Sequence, residues 1–439
     1  MQAAFDAIII GAGPAGSAAA IVLARAGWSV ALLERRPFPR RKVCGECLAA
    51  SNLSVLDELG VGEAFRDRAG PELRRLALLR GDSRVLAELP SGEAPGRRWG
   101  RALGRETLDT LLRDQARAAG VTVLQPCAVQ SVDGSMGDWR IGVRASDSSM
   151  PLTLRAPVAI AAHGSWEALP SALASRPSRR RAADLFAFKA NFRGAALQEG
   201  VLSVLALDGG YGGMVLADDG LATVACCVRR DRLEACRRAR PGLRAGDAVQ
   251  AWLEQACLGV RTALEPAGRQ GPWLAAGPLQ PGIRLRADDA MFRIGNAAGE
   301  AHPIVGEGMS MALQSAWLLS ACLLELAGDG LPSQDAPASA AWQREVAVRY
   351  AAAWKRQFVA RLRWAASFAH ASMRPSSSAL LLGLARIWPG LLTQGARWSG
   401  KTREMTPEMP QEMTAPRGAE RASAARREHG RSAFTKEQT

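Results

Sequence analysis

FDAIIIGAGPAGSAAAIVLARAGWSVALLE, residues 5–34, carries the strongest structural signal in the chain. Its opening, FDAIII, is the short apolar run that a fully buried strand needs. GAGPAG follows at once, and the Ala-rich stretch after it reads as a helix to about Ala26, stopped by Gly27. WSVALLE is a second strand that closes on Glu34. Gly11, Gly13 and Gly16 therefore form G-x-G-x-x-G at a strand-to-helix turn. Gly11 permits the tight turn, Gly13 lets a pyrophosphate approach the backbone, and Gly16 lets helix and strand pack closely. Ala12, Pro14 and Ala15 complete a turn whose free N–H groups and positive helix end stabilise phosphate. Glu34 is placed to accept hydrogen bonds from ribose hydroxyls, and its charge argues against a 2′-phosphate. A glycine-rich turn that binds nothing would make Glu34 a coincidence, so the segment is read as a dinucleotide site. No second G-x-G-x-x-G follows, which leaves one site for either a nicotinamide or a permanently bound flavin.

The rest of the chain bounds the answer. It has 439 residues, 48% apolar and 22% charged, the balance of a folded protein of two or three domains. Two candidate apolar stretches, 379–385 and 387–392, are separated by Arg386 and broken by Pro389, and no run of eighteen uncharged apolar residues occurs, which argues against a transmembrane helix. The opening MQAAFDAIII lacks the positive lead of a secretory signal, so a cytoplasmic location is expected. Eight cysteines are too sparse and irregular for a disulfide scaffold or a zinc site, and no metal is expected. Net charge is +14, and from Ala340 onward 17 Lys/Arg face 7 Asp/Glu. That basic C-terminal region suits anionic lipid or an acidic carrier, or is simply a solvated Arg-rich surface. No nucleic-acid-binding motif accompanies it.

Further elements follow from patterning. RRLALLR (74–80) suits an antiparallel strand, and the stretch from 103 to 120 gives a helix with Leu108, Leu111, Leu112 and Ala116 on one face. VTVLQPCAVQSV and APVAIAA read as strands, and PSALASRPSRRRAAD (170–184) as a surface linker. Short strands dominate 185–285, with one helix around 245–257. Long helices are expected over 306–327 and 341–371.

Three more segments resemble the flavoprotein superfamily that includes p-hydroxybenzoate hydroxylase, geranylgeranyl reductases and flavin-dependent halogenases. RRKVCGE (40–46) is similar to the basic-then-Cys-Gly loop of the geranylgeranyl reductase branch, the closest by that loop. LGRETLDTLL (103–112) puts Arg105 where the superfamily has a side chain reaching the flavin. GNAAGEAHPIVGEGMSMALQSA (295–316) resembles the second flavin fingerprint, with Asn296 replacing the usual Asp on the ribityl chain and Gly306 and Gly308 opening a helix. His163 in AAHGSWE (161–167) stands where an Asp is usual, and GYGGMVLADD (210–219) replaces the aromatic-rich signature of the reductase and halogenase branches. The resemblance implies an α/β fold: a Rossmann-like FAD-binding domain in three parts (1–70, 101–169 and 286–330), with an inserted antiparallel β-sheet substrate domain (71–100 and 185–285). C-terminal helices (341–400) and a disordered tail (401–439) complete it. It implies FAD as cofactor, NAD(P)H as transient reductant, and cofactor contacts from the first turn, Glu34, Arg35, Arg105, Val129, Asn296, Gly306, Gly308 and Met309.

Catalytic side chains are less defined. His302, before Pro303 in the second fingerprint, is an acid–base candidate or a buried residue orienting the loop. Cys44 and Cys47 form C-x-x-C, but a redox dithiol normally works with a second nucleotide domain, so a structural or single-thiol role for Cys44 is favoured. The helix at 344–368 places Ala347, Tyr350, Trp354, Phe358, Leu362 and Ala365 on one stripe. That stripe fits the protein's own core, or an anionic membrane surface on the inner face of the membrane. The expected activity is NAD(P)H-driven hydroxylation of a small hydrophobic aromatic or polyketide-like substrate. The alternatives are reduction of isoprenoid double bonds and a non-catalytic flavin-binding scaffold.

Overall fold

A computed structural model of the chain describes residues 2–92, 98–145, 151–165, 180–328 and 336–401. Residues 170–179 of the 170–184 linker and the tail beyond 401 lie outside the described residues. Five parallel strands form one sheet in the order Phe292–Arg293, Val158–Ala161, Ala7–Ile10, Val30–Leu33, Thr122–Leu124. Ile10 pairs with Ala161 on one side and Leu33 on the other, so three distant parts of the chain share one sheet.

Successive side chains of a strand point to opposite faces. Ala7, Ile9, Val30 and Leu32 pack with the helices Pro14–Arg25, Arg105–Ala118 and Gly308–Ala327. Ile8, Ile10, Ala31 and Leu33 pack against a four-stranded sheet ordered Gln2–Ala4, Leu152–Ala156, Asp138–Ala145, Cys127–Ser135. Covering on both faces explains why AIII and VALL are apolar at every position. VTVLQPCAVQSV divides between these two sheets at Pro126, which has no N–H to continue a ladder.

The inserted sheet has seven strands in the order Gly268–Ala276, Leu185–Arg193, Ala222–Arg229, Gly210–Leu216, Val201–Leu207, Arg75–Arg80, Ser83–Glu88. It is antiparallel except where Val201–Leu207 runs parallel to Arg75–Arg80, because the 75–88 hairpin joins an edge from elsewhere in the sequence. Three helices cover its outer face, Arg230–Ala239, Ala245–Ala256 and Leu258–Leu264, where the sequence suggested one. The first escapes notice because RDRLEACRRA buries only Cys236 and so carries almost no apolar period. The opposite face packs on Cys47, Ile304 and the helices Pro375–Ile387 and Gly390–Trp398.

The long helix Ala336–Ser372 settles one open alternative. Ala347, Tyr350, Trp354, Phe358, Leu362 and Ala365 are all buried in the core shared with Gly308–Ala327, so that stripe is not available to a membrane. Gly308–Ala327 itself has the length and composition of a bilayer span, but 72% of its apolar window is buried inside the molecule.

Candidate active site

The first turn is built by exclusion of side chains. Gly11 has φ +109°, and a Cβ there would lie 2.6 Å from the Ala162 carbonyl oxygen. A Cβ on Gly16 would lie 1.8 Å from the Gly11 carbonyl oxygen, which only a hydrogen tolerates. Gly13 differs: a Cβ there would meet nothing closer than an Arg105 guanidinium nitrogen at 3.7 Å. The helix then starts at Pro14 with no side-chain cap and no acidic residue in its first turn. Its first N–H groups thus face open space, the arrangement that binds an anion. Glu34, buried, accepts from the Ala12 N–H (3.2 Å), the Arg36 N–H (3.0 Å) and Arg40 (3.2 Å). A carboxylate has about four acceptor sites, so a further donor can be accommodated.

The second fingerprint reaches the same cavity from the other side. Gly295 packs its backbone on Ala15, where a Cβ would be 3.0 Å from the Ala15 methyl, and donates its N–H to Ser315 (2.8 Å). The Asn296 carbonyl accepts from Arg284 (2.5 Å), and its side-chain amide bonds to no described residue. Gly306 has φ +67° and ends a short 3₁₀ turn; the helix begins at Gly308, two residues later than the pattern suggested. A Cβ on Gly308 would touch nothing, and the helix start carries no side-chain cap.

Gly13, Pro14, Ala15, Arg105, Asn296, Gly306, Gly308, Met309 and Cys44 all line one cavity, which holds about 1490 Å³ of atom-free space, part of it open to solvent. Gly11, Ala12 and Gly16 belong to the same turn but do not line the cavity. Glu34 and Val129 do not line it either; Val129 lies two residues beyond Cys127, whose N–H donates to the Glu34 carbonyl (2.7 Å). Arg35 is exposed at the end of the second strand. Two uncapped helix starts, a glycine cradle that a Cβ would fill and an unoccupied amide at one cavity fit a flavin adenine dinucleotide.

A family model described as "FAD binding domain" matches residues 4–333. The chain belongs to this FAD-binding family. Conditioned medium factor receptor 1 of Dictyostelium discoideum is 27% identical over 350 residues, covering 74% of this chain and 64% of that protein. Kynurenine 3-monooxygenase of Stenotrophomonas maltophilia is 32% identical over 181 residues, 38% of this chain and 37% of that one. The chain thus spans less than two thirds of the length of either relative. Among solved structures, the myxobacterial chondrochloren halogenase CndH superposes with a TM-score of 0.67 at 20% identity, covering 90% of this chain and 91% of that chain; at that identity the likeness shows the fold. The protein accordingly carries the FAD-binding domain of this family, in a fold with a Rossmann-type unit, a second sheet and C-terminal helices.

Around the FAD cavity, Arg105 is locked. Its Nε and guanidinium NH2 nitrogens donate to the two carboxylate oxygens of Asp109 one turn on (2.7 and 2.8 Å). Burial works against its charge, but Asp109 more than compensates and holds the pKa above the ordinary arginine value. A rigid cation therefore stands over the Gly13 turn.

Sequence reasoning missed the largest polar feature of the site. Glu46, fully buried and in the left-handed region (φ +61°), ends the Cys44 loop on the cavity wall. Its carboxylate accepts from the buried Lys189 ammonium, from the Arg105 N–H (2.9 Å) and from the Thr223 hydroxyl (2.5 Å). Asn191 joins Thr223 (2.9 Å) to Arg41 (2.7 Å), so this network ties the loop to the seven-stranded sheet.

The two catalytic candidates are now placed. Cys44 is on the cavity wall, its sulfur accepting from the Glu46 N–H at 3.4 Å. Burial pushes the Cys47 thiol up to about 12, against an opposing pull from Lys401, so Cys47 stays protonated and does not suit a working dithiol. His302 is buried behind the wall; its Nδ1 is 3.3 Å from the Tyr211 hydroxyl and its ring centroid 5.4 Å from that of His370. Burial and then His370 lower its pKa to about 4, so the ring is neutral near pH 7 and serves to orient Tyr211, which does line the cavity.

The displaced histidine predicts a pH dependence. Unfolded, His302 titrates near 6.5; folded, at about 4. Between those values the unfolded chain binds more protons, so the stabilisation is complete above pH 6.5 and is lost as pH falls toward 4. The loss is on the order of 3 kcal/mol. Urea midpoints measured across this window should fall less steeply in His302→Gln than in the wild type; identical slopes would show that His302 does not drive the effect.

Proposed function

We propose that the protein is an NAD(P)H-driven FAD monooxygenase that hydroxylates a hydrophobic aromatic or polyketide-like substrate. The observation that carries this reading is the lining of the cavity above the fingerprint loops. Phe188, Leu202, Val204, Met214, Val215, Leu279 and Ile304 make it apolar, with Tyr211 in the same wall. A largely apolar chamber against the cofactor suits an apolar substrate and limits the water that reaches reactive oxygen chemistry. Bound FAD supplies the electron transfer from NAD(P)H to oxygen.

The chain's own residues bind, orient and exclude. The Gly13 turn and Arg105 hold the pyrophosphate end, the Asn296 amide meets the ribityl chain, and the Gly308 helix start places its positive end at the ring system. Burial, then Cys227, raises the Tyr211 pKa well above its ordinary value, so its hydroxyl stays protonated beside His302 and braces the cavity wall. The similarity to kynurenine 3-monooxygenase supports the oxygen-dependent reading. Cys44 on the cavity wall favours a second one, reduction of an isoprenoid double bond.

The test follows NAD(P)H and oxygen together while phenolic, polyketide-like and isoprenoid compounds are added to the purified yellow protein. Substrate-stimulated oxygen uptake, one oxygen per NAD(P)H, with an oxygen atom in the product supports hydroxylation. Anaerobic turnover to a saturated product supports the second reading, and turnover stimulated by no compound counts against both.

A further inference from the structure

With the long helix packed inside, the exposed apolar surface lies one element later. Leu380, Leu384, Ile387 and Trp388 are 64%, 47%, 86% and 61% exposed. Their spacing of four, three and one residues puts them on one side of the helix Pro375–Ile387 and its cap. The other side of the same helix is also apolar: Leu382 and Ala385 are buried in the cluster that contains Leu202, Val204, Tyr211 and Ile304 of the cavity wall. On the two helices that pack against this helix, Trp364 and Trp398 stack on each other at 4.7 Å, each nearly half exposed. A helix apolar on its solvent side as well as its core side is out of place in water and marks an interaction surface.

The charge around it selects the partner. From Val346 to Gly400 the chain has eight Lys/Arg and not one Asp or Glu. Seven of the eight are exposed; Arg361 is the buried one. Arg374 is the N-cap of the exposed helix and Arg386 lies in its last turn, Arg363 is beside Trp364, and Arg397 beside Trp398. Leucine, isoleucine and tryptophan rimmed by unopposed arginines match the acyl–headgroup boundary of an anionic bilayer, where apolar side chains enter and cations meet phosphate. A protein partner of mixed surface charge has no use for a field of one sign over so long a stretch.

We propose that the face formed by Leu380, Leu384, Ile387, Trp388 and the stacked Trp364–Trp398 pair is a docking surface for an anionic lipid bilayer. The apolar side chains insert, and the arginines bind headgroup phosphates. Because the inner side of the docked helix packs into the cluster that walls the cavity, the bilayer lies next to the chamber that takes a hydrophobic substrate. The binding itself is independent of what reaction the flavin performs.

The full-length FAD-loaded protein is sedimented with extruded vesicles of phosphatidylcholine alone and of equal phosphatidylcholine and phosphatidylglycerol. Binding is expected to the phosphatidylglycerol vesicles, at least tenfold weaker to phosphatidylcholine alone and in 0.5 M salt, with a blue shift of tryptophan emission. The Leu384→Asp/Ile387→Asp variant should bind at least tenfold more weakly while keeping its FAD content. Trp388→Ala, a milder change, should weaken binding severalfold if the double variant does not fold. Failure of the wild type to bind anionic vesicles overturns the proposal. So does undiminished binding by these variants, which would mark simple adsorption of a basic protein. A wild-type dimer that the double variant dissociates, without vesicle binding, assigns the face to a second copy and overturns it as well. No outcome depends on turnover, so failure of the monooxygenase reading leaves this test intact.

Discussion

Gly13→Ala is expected to fold like the wild type and emerge almost colourless, whereas Gly16→Ala, three residues on, is expected not to accumulate as folded protein. The two glycines belong to one motif but face different neighbours. A methyl on Gly13 has no protein atom within 3.7 Å, and as a helix cap Ala is only modestly poorer than Gly. The native chain therefore tolerates it. The space it fills is the approach path of a pyrophosphate to the backbone N–H groups, and charge-assisted hydrogen bonds are worth about 1.5–3 kcal/mol each. Losing one or two lowers FAD affinity by roughly 10- to 10,000-fold. A methyl on Gly16 instead lands 1.8 Å from the Gly11 carbonyl oxygen, and Gly11 cannot retreat because it is already close against Ala162. Overpacking against mobile side chains costs about 1–3 kcal/mol. Against fixed backbone the cost is higher and approaches a total stability of roughly 5–15 kcal/mol. Visible absorbance with FAD titration separates affinity from folding, and thermal unfolding of the apoprotein checks the latter. Gly13→Ala protein that is stable and binds FAD as tightly as wild type would show that no phosphate lies on that backbone.

The same contrast explains what was legible in the sequence. Gly11, Gly16, Gly295 and Gly306 are imposed by local backbone geometry, a positive φ or a contact too close for a side chain, so residue type alone reports them. The strand–turn–helix and the fingerprint helix were readable for that reason, whereas the return of distant segments to one sheet was implied only by the family resemblance. Partners chosen by tertiary register leave no such mark. Lys189 and Glu46 are 143 residues apart, and Tyr211 and His302 are 91 apart. Their meeting depends on how the seven-stranded sheet is laid over the Cys44 loop. One clue existed: a lysine at the middle of LFAFKANF, in a chain with five lysines in all, needs an acid at its tip. The exposed stripe on Pro375–Ile387 was hidden for the opposite reason. A helix apolar on both sides has no clear amphipathic period, so its sequence resembles that of any core helix.

Lys189→Met is expected to destabilise the folded protein by about 3–5 kcal/mol, the usual result of removing one member of a buried ion pair. Lys189 and Glu46 are 2% and 1% exposed, so water cannot take the place of the missing partner. With Lys189 gone, the Glu46 carboxylate keeps the Arg105 N–H and the Thr223 hydroxyl, both neutral donors, and remains a buried charge without a counter-ion. Glu46→Gln should cost a similar amount by stranding the ammonium. Glu46→Gln/Lys189→Met removes both charges and should lose much less than the sum of the singles, a coupling readable in a double-mutant cycle of urea midpoints. The consequence for the site follows from position. Glu46 is both the pivot of the loop that walls the cavity and the acceptor for the first N–H of the Arg105 helix. Either single variant should thus loosen Arg105 over the Gly13 turn and weaken FAD binding and stability together, unlike Gly13→Ala, which separates them. A wild-type urea midpoint in Lys189→Met would mean that the pair is solvated, and the sheet would then have to sit away from the Cys44 loop.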